Sequence, residues 1–254
     1  MAFPICLEGR NVKPSRRNLL KAAAAAPAAA MLAPTIIVSP LRFMDAATPR
    51  AQAYAPQYAE PGSTYLTAAE RAFVEAAVDR IIPADDLGPG AKEAGVAVFI
   101  DRQLAGPFGR AETWYMAGPW RQGIDEQGYQ LRMTPAELYR AAIRELDAQV
   151  KQQHGKVFAE LDAAGQDGVL DALDKDELKL GNVPGRTFFE LLVQNTVEGF
   201  FADPMYGGNR DFIGWKLIGF PGPRYDYGDE ISQHGKKYDM PFVSIAGRDT
   251  GVRG

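Results

Sequence analysis

Two histidines, a pair of adjacent aspartates and an acidic run broken by glycines are the side chains in this sequence best suited to do chemistry. A histidine can act as a base beside a nucleophile or as a haem ligand. His154 and His234 each sit beside a glycine and near lysines, which reads as an exposed turn position. Asp85-Asp86 could share a proton in acid–base work. Aspartates just past Pro83 more simply cap a turn. The run Asp162-Ala163-Ala164-Gly165-Gln166-Asp167-Gly168 suggests a calcium loop, but such a loop needs oxygen at its third position, where Ala164 stands. It reads as a solvated connection between helices, and Asp174-Lys175-Asp176-Glu177 as a charged helix surface. Gly88-Pro89-Gly90 lacks the third glycine of a dinucleotide loop. Gly90 and Gly95 have phosphate-loop spacing, yet Val96-Ala97 replace the lysine and hydroxyl residue. The single cysteine, Cys6, lies near the start, so the remainder has no thiolate for a disulfide, metal or thioether haem link. The reading assigns this chain no catalytic residue, no metal and no cofactor of its own.

The elements that would position such groups are helices. Thr67-Ala68-Ala69-Glu70 forms a capping box, and behind it Phe73, Val74, Ala77, Val78, Ile81 and Ile82 make one helical stripe that Pro83 ends. Val96, Phe99, Ile100 and Leu104 mark a second helix, stopped around Gly106-Pro107. Residues 106–133 are irregular by pattern. Thr134-Pro135-Ala136-Glu137 is another capping box, with proline where its missing N–H costs nothing. Leu138, Ala142, Ile143, Leu146 and Val150 continue that helix to Gly155. Phe158, Leu161, Val169, Leu170 and Leu173 belong to one or two shorter helices. Residues 187–201, TFFELLVQNTVEGFF, are apolar on more than one stripe, which suits a helix in the middle of a bundle or one shared with a partner. No period-two alternation or βαβ rhythm emerges. The fold class is mainly α, a single helical domain spanning residues 54–254.

After Asp203-Pro204 the chain changes character. Twelve of its 26 aromatic residues lie between Phe188 and Phe242. A stretch interrupted by glycine and proline cannot bury so many rings in regular helices. It must lie as a long irregular arm over its own bundle or over another protein. Phe200, Phe201, Trp215, Phe220, Tyr225 and Tyr227 are the rings that could anchor a partner, since aromatics most often do so.

Residues 1–53 stand apart. Seven basic residues against two acidic ones give them a charge of +5; as the whole chain carries −4, residues 54–254 carry −9. An acidic body repels phosphate and argues against nucleic-acid binding. Ser15-Arg16-Arg17-Asn18-Leu19-Leu20-Lys21 resembles the twin-arginine export motif: paired arginines, two leucines and a lysine. The alanine-rich stretch that follows, Ala22 to Val38, is interrupted by Pro27 and Pro34 and is only weakly hydrophobic. That suits an export signal better than a lasting membrane span. Ala51-Gln52-Ala53 offers a cleavage site, with Ala47 as an alternative. A basic pair before alanines also suits a general secretion signal or a disordered tail, but the flanking serine, leucines and lysine all match the twin-arginine motif. The twin-arginine reading places the chain in the periplasm or on the outer face of the cytoplasmic membrane, with the twin-arginine translocon as its export partner.

Three stretches carry a wider resemblance: AAVDRIIPADDLGPGAKEAGVAVFIDRQLAGPFG, WYMAGPW, and FFELLVQNTVEGFFADPMYGGNRDFIGWKLIGFPGPRYDY. They resemble the gluconate 2-dehydrogenase subunit 3 family, over about Tyr65 to Gly247. The block Gly207-Gly208-Asn209-Arg210-Asp211, then Gly214-Trp215 and Ile218-Gly219-Phe220-Pro221-Gly222, is its most specific part. The resemblance implies an assembly. A large subunit of the glucose–methanol–choline flavoprotein class carries FAD and oxidises D-gluconate to 2-keto-D-gluconate. A cytochrome c subunit, with haem c, passes electrons to quinone. The small subunit, without a cofactor, assists the folding and export of the flavoprotein. Related small subunits serve fructose, sorbitol, glucose and 2-ketogluconate dehydrogenase complexes, so the substrate stays open. From the residues alone, a free-standing periplasmic enzyme using His154 or His234, or a sugar-binding module, also stays open.

Overall fold

A computed structural model describes residues 65–121, 123–124, 127–224, 226–238 and 240–246. The export-motif residues Ser15, Arg16, Arg17, Leu19, Leu20 and Lys21, and the cleavage sites, lie outside the described residues, as does Tyr225.

Both threonine–glutamate boxes start helices, as their spacing predicts. The Thr67 hydroxyl accepts from the Glu70 amide at 3.3 Å, and the Glu70 carboxylate takes the Thr67 amide at 2.7 Å. Helix α1, Ala68–Ile81, follows and buries Phe73, Val74, Ala77, Val78 and Ile81. Helix α2, Val96–Ala105, begins at Gly95, whose φ of 73° admits glycine without strain. Thr134 caps α3, Pro135–His154, in the same reciprocal way, and Gly155 ends it in the left-handed conformation.

A short 3-10 turn, Phe158–Glu160, leads into α4, Ala163–Asp174. Here the structure corrects two expectations. The Asp162–Gly168 run is not a connection between helices. Asp162 is the N-cap, accepting the Gly165 amide at 2.8 Å, and the rest is the first half of α4. Arg80 of α1 grips Asp167 with two hydrogen bonds of 2.7 and 2.9 Å, stabilising that glycine-containing turn from outside. Conversely, Asp174-Lys175-Asp176-Glu177 is no helix surface. α4 ends at Asp174, and Asp176 sits at a φ of 54° in the turn beyond it.

Helix α5, Gly185–Phe201, is the hub: it packs against α1, α2, α3 and α4, and against the short α6, Ile213–Ile218. Its exposed positions form one stripe, Arg186, Glu190, Gln194 and Glu198, laced by Arg186–Glu190 and Gln194–Glu198 contacts. Phe188 of α5 stands edge-on to Tyr139 of α3, and Phe73 of α1 packs on Phe158 at 4.6 Å. The buried Tyr139 hydroxyl accepts from Asn195 at 2.9 Å. Burial pushes that phenol's pKa well up, so it stays a neutral core partner. No strand occurs among the described residues, which bear out a mainly α fold.

The start of the body is pinned by charge. Asp101 of α2, its side chain 3% exposed, accepts the amides of Tyr65 and Leu66 at 2.8 Å each and pairs with Arg71 at 2.8 Å. Arg140 closes the other side: it donates to the Tyr65 carbonyl, pairs with Glu70 and lies 4.1 Å above the Tyr65 ring. Burial alone would raise the Glu70 pKa, but bonds from Thr67 and Arg140 hold it below its ordinary value. Asp101→Ala would orphan two amides and a guanidinium at once, which costs about 3 kcal/mol. We expect its melting temperature to fall by roughly 6–12 °C, against about half that for Asp101→Asn. Thermal circular dichroism checks this, and an unchanged melt for the alanine variant would refute it.

Candidate partner-facing surface

The arm is fastened to the end of α5 by close backbone approach rather than by regular structure. Past Phe201, the Asp203 carboxylate accepts the Met205 amide and caps the 3-10 turn Pro204–Tyr206. The same carboxylate holds the far end of the arm, accepting from the Ser244 hydroxyl at 2.5 Å and the Ile245 amide at 2.7 Å. Asn209, fully buried in a left-handed conformation, bridges the chain. Its Nδ2 donates to the Ala202 carbonyl at 2.7 Å, and its Oδ1 accepts from the Gly214 amide at 2.8 Å. A Cβ on Gly208 would stand 2.1 Å from the Gly199 carbonyl oxygen, and one on Gly214 would stand 2.0 Å from that of Phe200. Only glycine lets these strands of backbone touch. Arg210 adds a tie to the second helix region, its amide donating to the Ala94 carbonyl at 2.9 Å.

These contacts decide where the five described candidate rings go. Phe200 is 1% exposed and Trp215 4%, so both pack inside the chain. The Trp215 indole donates to the Phe201 carbonyl at 2.8 Å. Its ring stacks with Phe212 at 5.5 Å and meets Phe220 edge-on at 5.0 Å, while Phe212 stacks on Phe242 at 5.8 Å. Phe200 and Phe201 also meet edge-on. The ladder Phe242–Phe212–Trp215–Phe220 therefore roots the arm in its own core, and its outer end, Phe220, is 39% exposed. Phe201 and Tyr227 are half-buried, the Tyr227 hydroxyl donating to the Gly222 carbonyl at 2.8 Å. Buried rings thus support the surface from beneath, and Phe220, Phe201 and Tyr227 are the candidates left partly exposed.

The chemistry-bearing residues stay dispersed. His154 is the exposed last residue of α3, and His234 is exposed on the arm. Asp85 caps a turn, its side chain accepting the Leu87 amide at 2.9 Å. Among the described residues no cluster of histidine, aspartate or glutamate could hold a metal ion, and no helix is long and apolar enough to cross a membrane. The roles of Asp101, Asp203 and Asn209 escaped the sequence reading. The one available signal was Asn209 between glycine and a polar pair, since asparagine tolerates the left-handed conformation that a sharp backbone return requires.

Residues 68–222, more than half of the chain, match the family described as gluconate 2-dehydrogenase subunit 3. The chain belongs to that family. The match ends at Gly222 and so takes in Asn209 and the glycines that seat the arm on α5. Residues 13–33 match the twin-arginine translocation pathway signal sequence, and the chain is exported by that pathway to the periplasm. No curated protein and no solved structure matches. Membership as a subunit 3, together with the signal, makes this a small exported subunit of a dehydrogenase complex.

Proposed function

We propose that this chain is the non-catalytic small subunit of a periplasmic gluconate 2-dehydrogenase-like complex. Its task is to help the FAD-bearing large subunit fold and to carry it through the twin-arginine translocon. The large subunit, of the glucose–methanol–choline class, removes hydride from gluconate to FAD while the hydroxyl gives up its proton, leaving 2-keto-gluconate. A cytochrome c subunit with haem c relays the electrons to quinone. In this reading residues 1–53 are the export signal and linker, and residues 54–254 are the body that binds the large subunit. Phe220, Phe201 and Tyr227, with Tyr225, form part of the contact, while Phe200 and Trp215 brace it from within.

The observation that supports this reading is the presence of both matches, subunit 3 and twin-arginine signal, on one polypeptide. FAD is loaded in the cytoplasm, so its carrier must cross the membrane already folded. A bound companion that bears the signal takes both across as one package. The test is to withhold this chain from its host. Gluconate-dependent quinone reduction by intact membranes should fall to background and return when the chain is resupplied. Full activity without the chain would overturn the proposal.

A further inference from the structure

Leu87 is an exposed apolar residue on a turn built to hold it still. Asp85 and Gly88 exchange two backbone hydrogen bonds of 3.1 Å, and the Asp85 side chain takes the Leu87 amide. The Ala91 amide donates to the Ile82 carbonyl at 2.8 Å, and Glu93 accepts the Gly90 amide at 2.8 Å. A Cβ on Gly90 would stand 2.6 Å from the Ile82 oxygen, so the base of the turn lies directly on the end of α1. Turns of this kind favour polar residues at their tips, yet Leu87 is 48% exposed.

Leu87, Gly88 and Pro89 form one wall of a surface groove, and Ile213, Lys216 and Leu217 of α6 form the other. The α6 wall is fixed as firmly, through the Trp215 bond to Phe201 and the Gly214 bond to Asn209. Just past it, Ile218 and Phe220 extend the exposed apolar surface. Lys216 is exposed and has no ion pair among the described residues. In a body of net charge −9 it offers a local positive point for a partner carboxylate, across from a turn that also carries Asp85 and Asp86.

We propose that this groove is the docking site of the flavin-bearing partner subunit, which seats an apolar ridge on Leu87 and Leu217 and a carboxylate opposite Lys216. The proposal rests on the subunit reading above and locates the contact within it. The groove lies inside the span that matches the family, and belonging to a subunit family means that a companion polypeptide exists to cover it. Two walls held rigid before binding lose little freedom on docking, which favours a stable complex.

The full-length tagged chain is expressed in its host, the complex is isolated from detergent extracts, and flavin absorbance is measured per mole of chain. Leu87→Asp and Lys216→Glu should each lower co-isolated flavin by about 10-fold. Ile231→Asp, at another exposed apolar position, should leave it unchanged, and all three variants should keep the helical circular dichroism of the unaltered chain. Full flavin recovery with Leu87→Asp and Lys216→Glu would overturn the groove while leaving the subunit reading intact. An unaltered chain that brings down no flavin polypeptide would instead overturn that reading. Loss of self-association in the two variants, with flavin retained, would assign the groove to a second copy of this chain and also overturn the proposal.

Discussion

Under the proposed shared export, replacing Arg16 and Arg17 with lysine should leave the partner flavoprotein, active but unexported, in the cytoplasm together with this chain. The substitution keeps both positive charges, so an effect this large cannot come from electrostatic attraction to the membrane alone. It comes from replacing two planar guanidiniums, which offer forked hydrogen bonds, with compact ammonium groups that offer none of that geometry. Both residues lie within the matched signal, residues 13–33. Cell fractionation followed by flavin-linked activity assays of each fraction reads the outcome. If this chain is retained while the flavoprotein reaches the periplasm at full activity, the two do not travel together and the export role fails.

Gly214→Ala and Gly208→Ala should be among the most damaging single-methyl changes in the folded body. Each adds one carbon that would stand about 2 Å from a backbone carbonyl oxygen, Phe200 and Gly199 respectively. Neither neighbour is the flexible end of a side chain, so the arm must lift from α5 as a unit. The Asn209 bridge and the Trp215 indole bond go with it. A cost on the order of 3–5 kcal/mol is expected, at the upper end for overpacking because backbone has to move. Gly168→Ala provides the opposite sign. Gly168 is in mid α4 with open space around a new Cβ, so alanine should stabilise by up to about 1 kcal/mol. Urea unfolding of the three variants separates the cases. Equal midpoints for all three would show that the arm is not seated as described.

What the sequence made legible was local. Thr67 and Thr134 announce their helices because a capping box needs only residues three apart, and both boxes close as their spacing predicts. The apolar breadth of residues 187–201 foretold a central helix, because its exposed positions form one polar stripe. Asp162 was misleading because Gly165 and Gly168 suggest a loop, whereas a side-chain cap and a salt bridge from Arg80 keep that segment helical. Asp101 reads as an ordinary helix-surface carboxylate, since the amide and the arginine it serves lie 36 and 30 residues away. The aromatic arm was half legible. Its composition requires the rings to be covered, but which ring turns inward depends on where backbone touches backbone. Phe200 and Trp215 face the core because Gly208, Asn209 and Gly214 bring the chain back against α5.

The central claim is that this chain contributes recognition and transport while another polypeptide holds the redox centre. The most direct measurement isolates the complex through a tag on this chain, separates its subunits under mild dissociating conditions, and records the visible absorption spectrum of each. The account predicts a colourless small subunit, with the flavin spectrum confined to a larger companion and the haem spectrum to a cytochrome. A flavin or haem band that stays with the small subunit, or a preparation in which it has no companion, would contradict it.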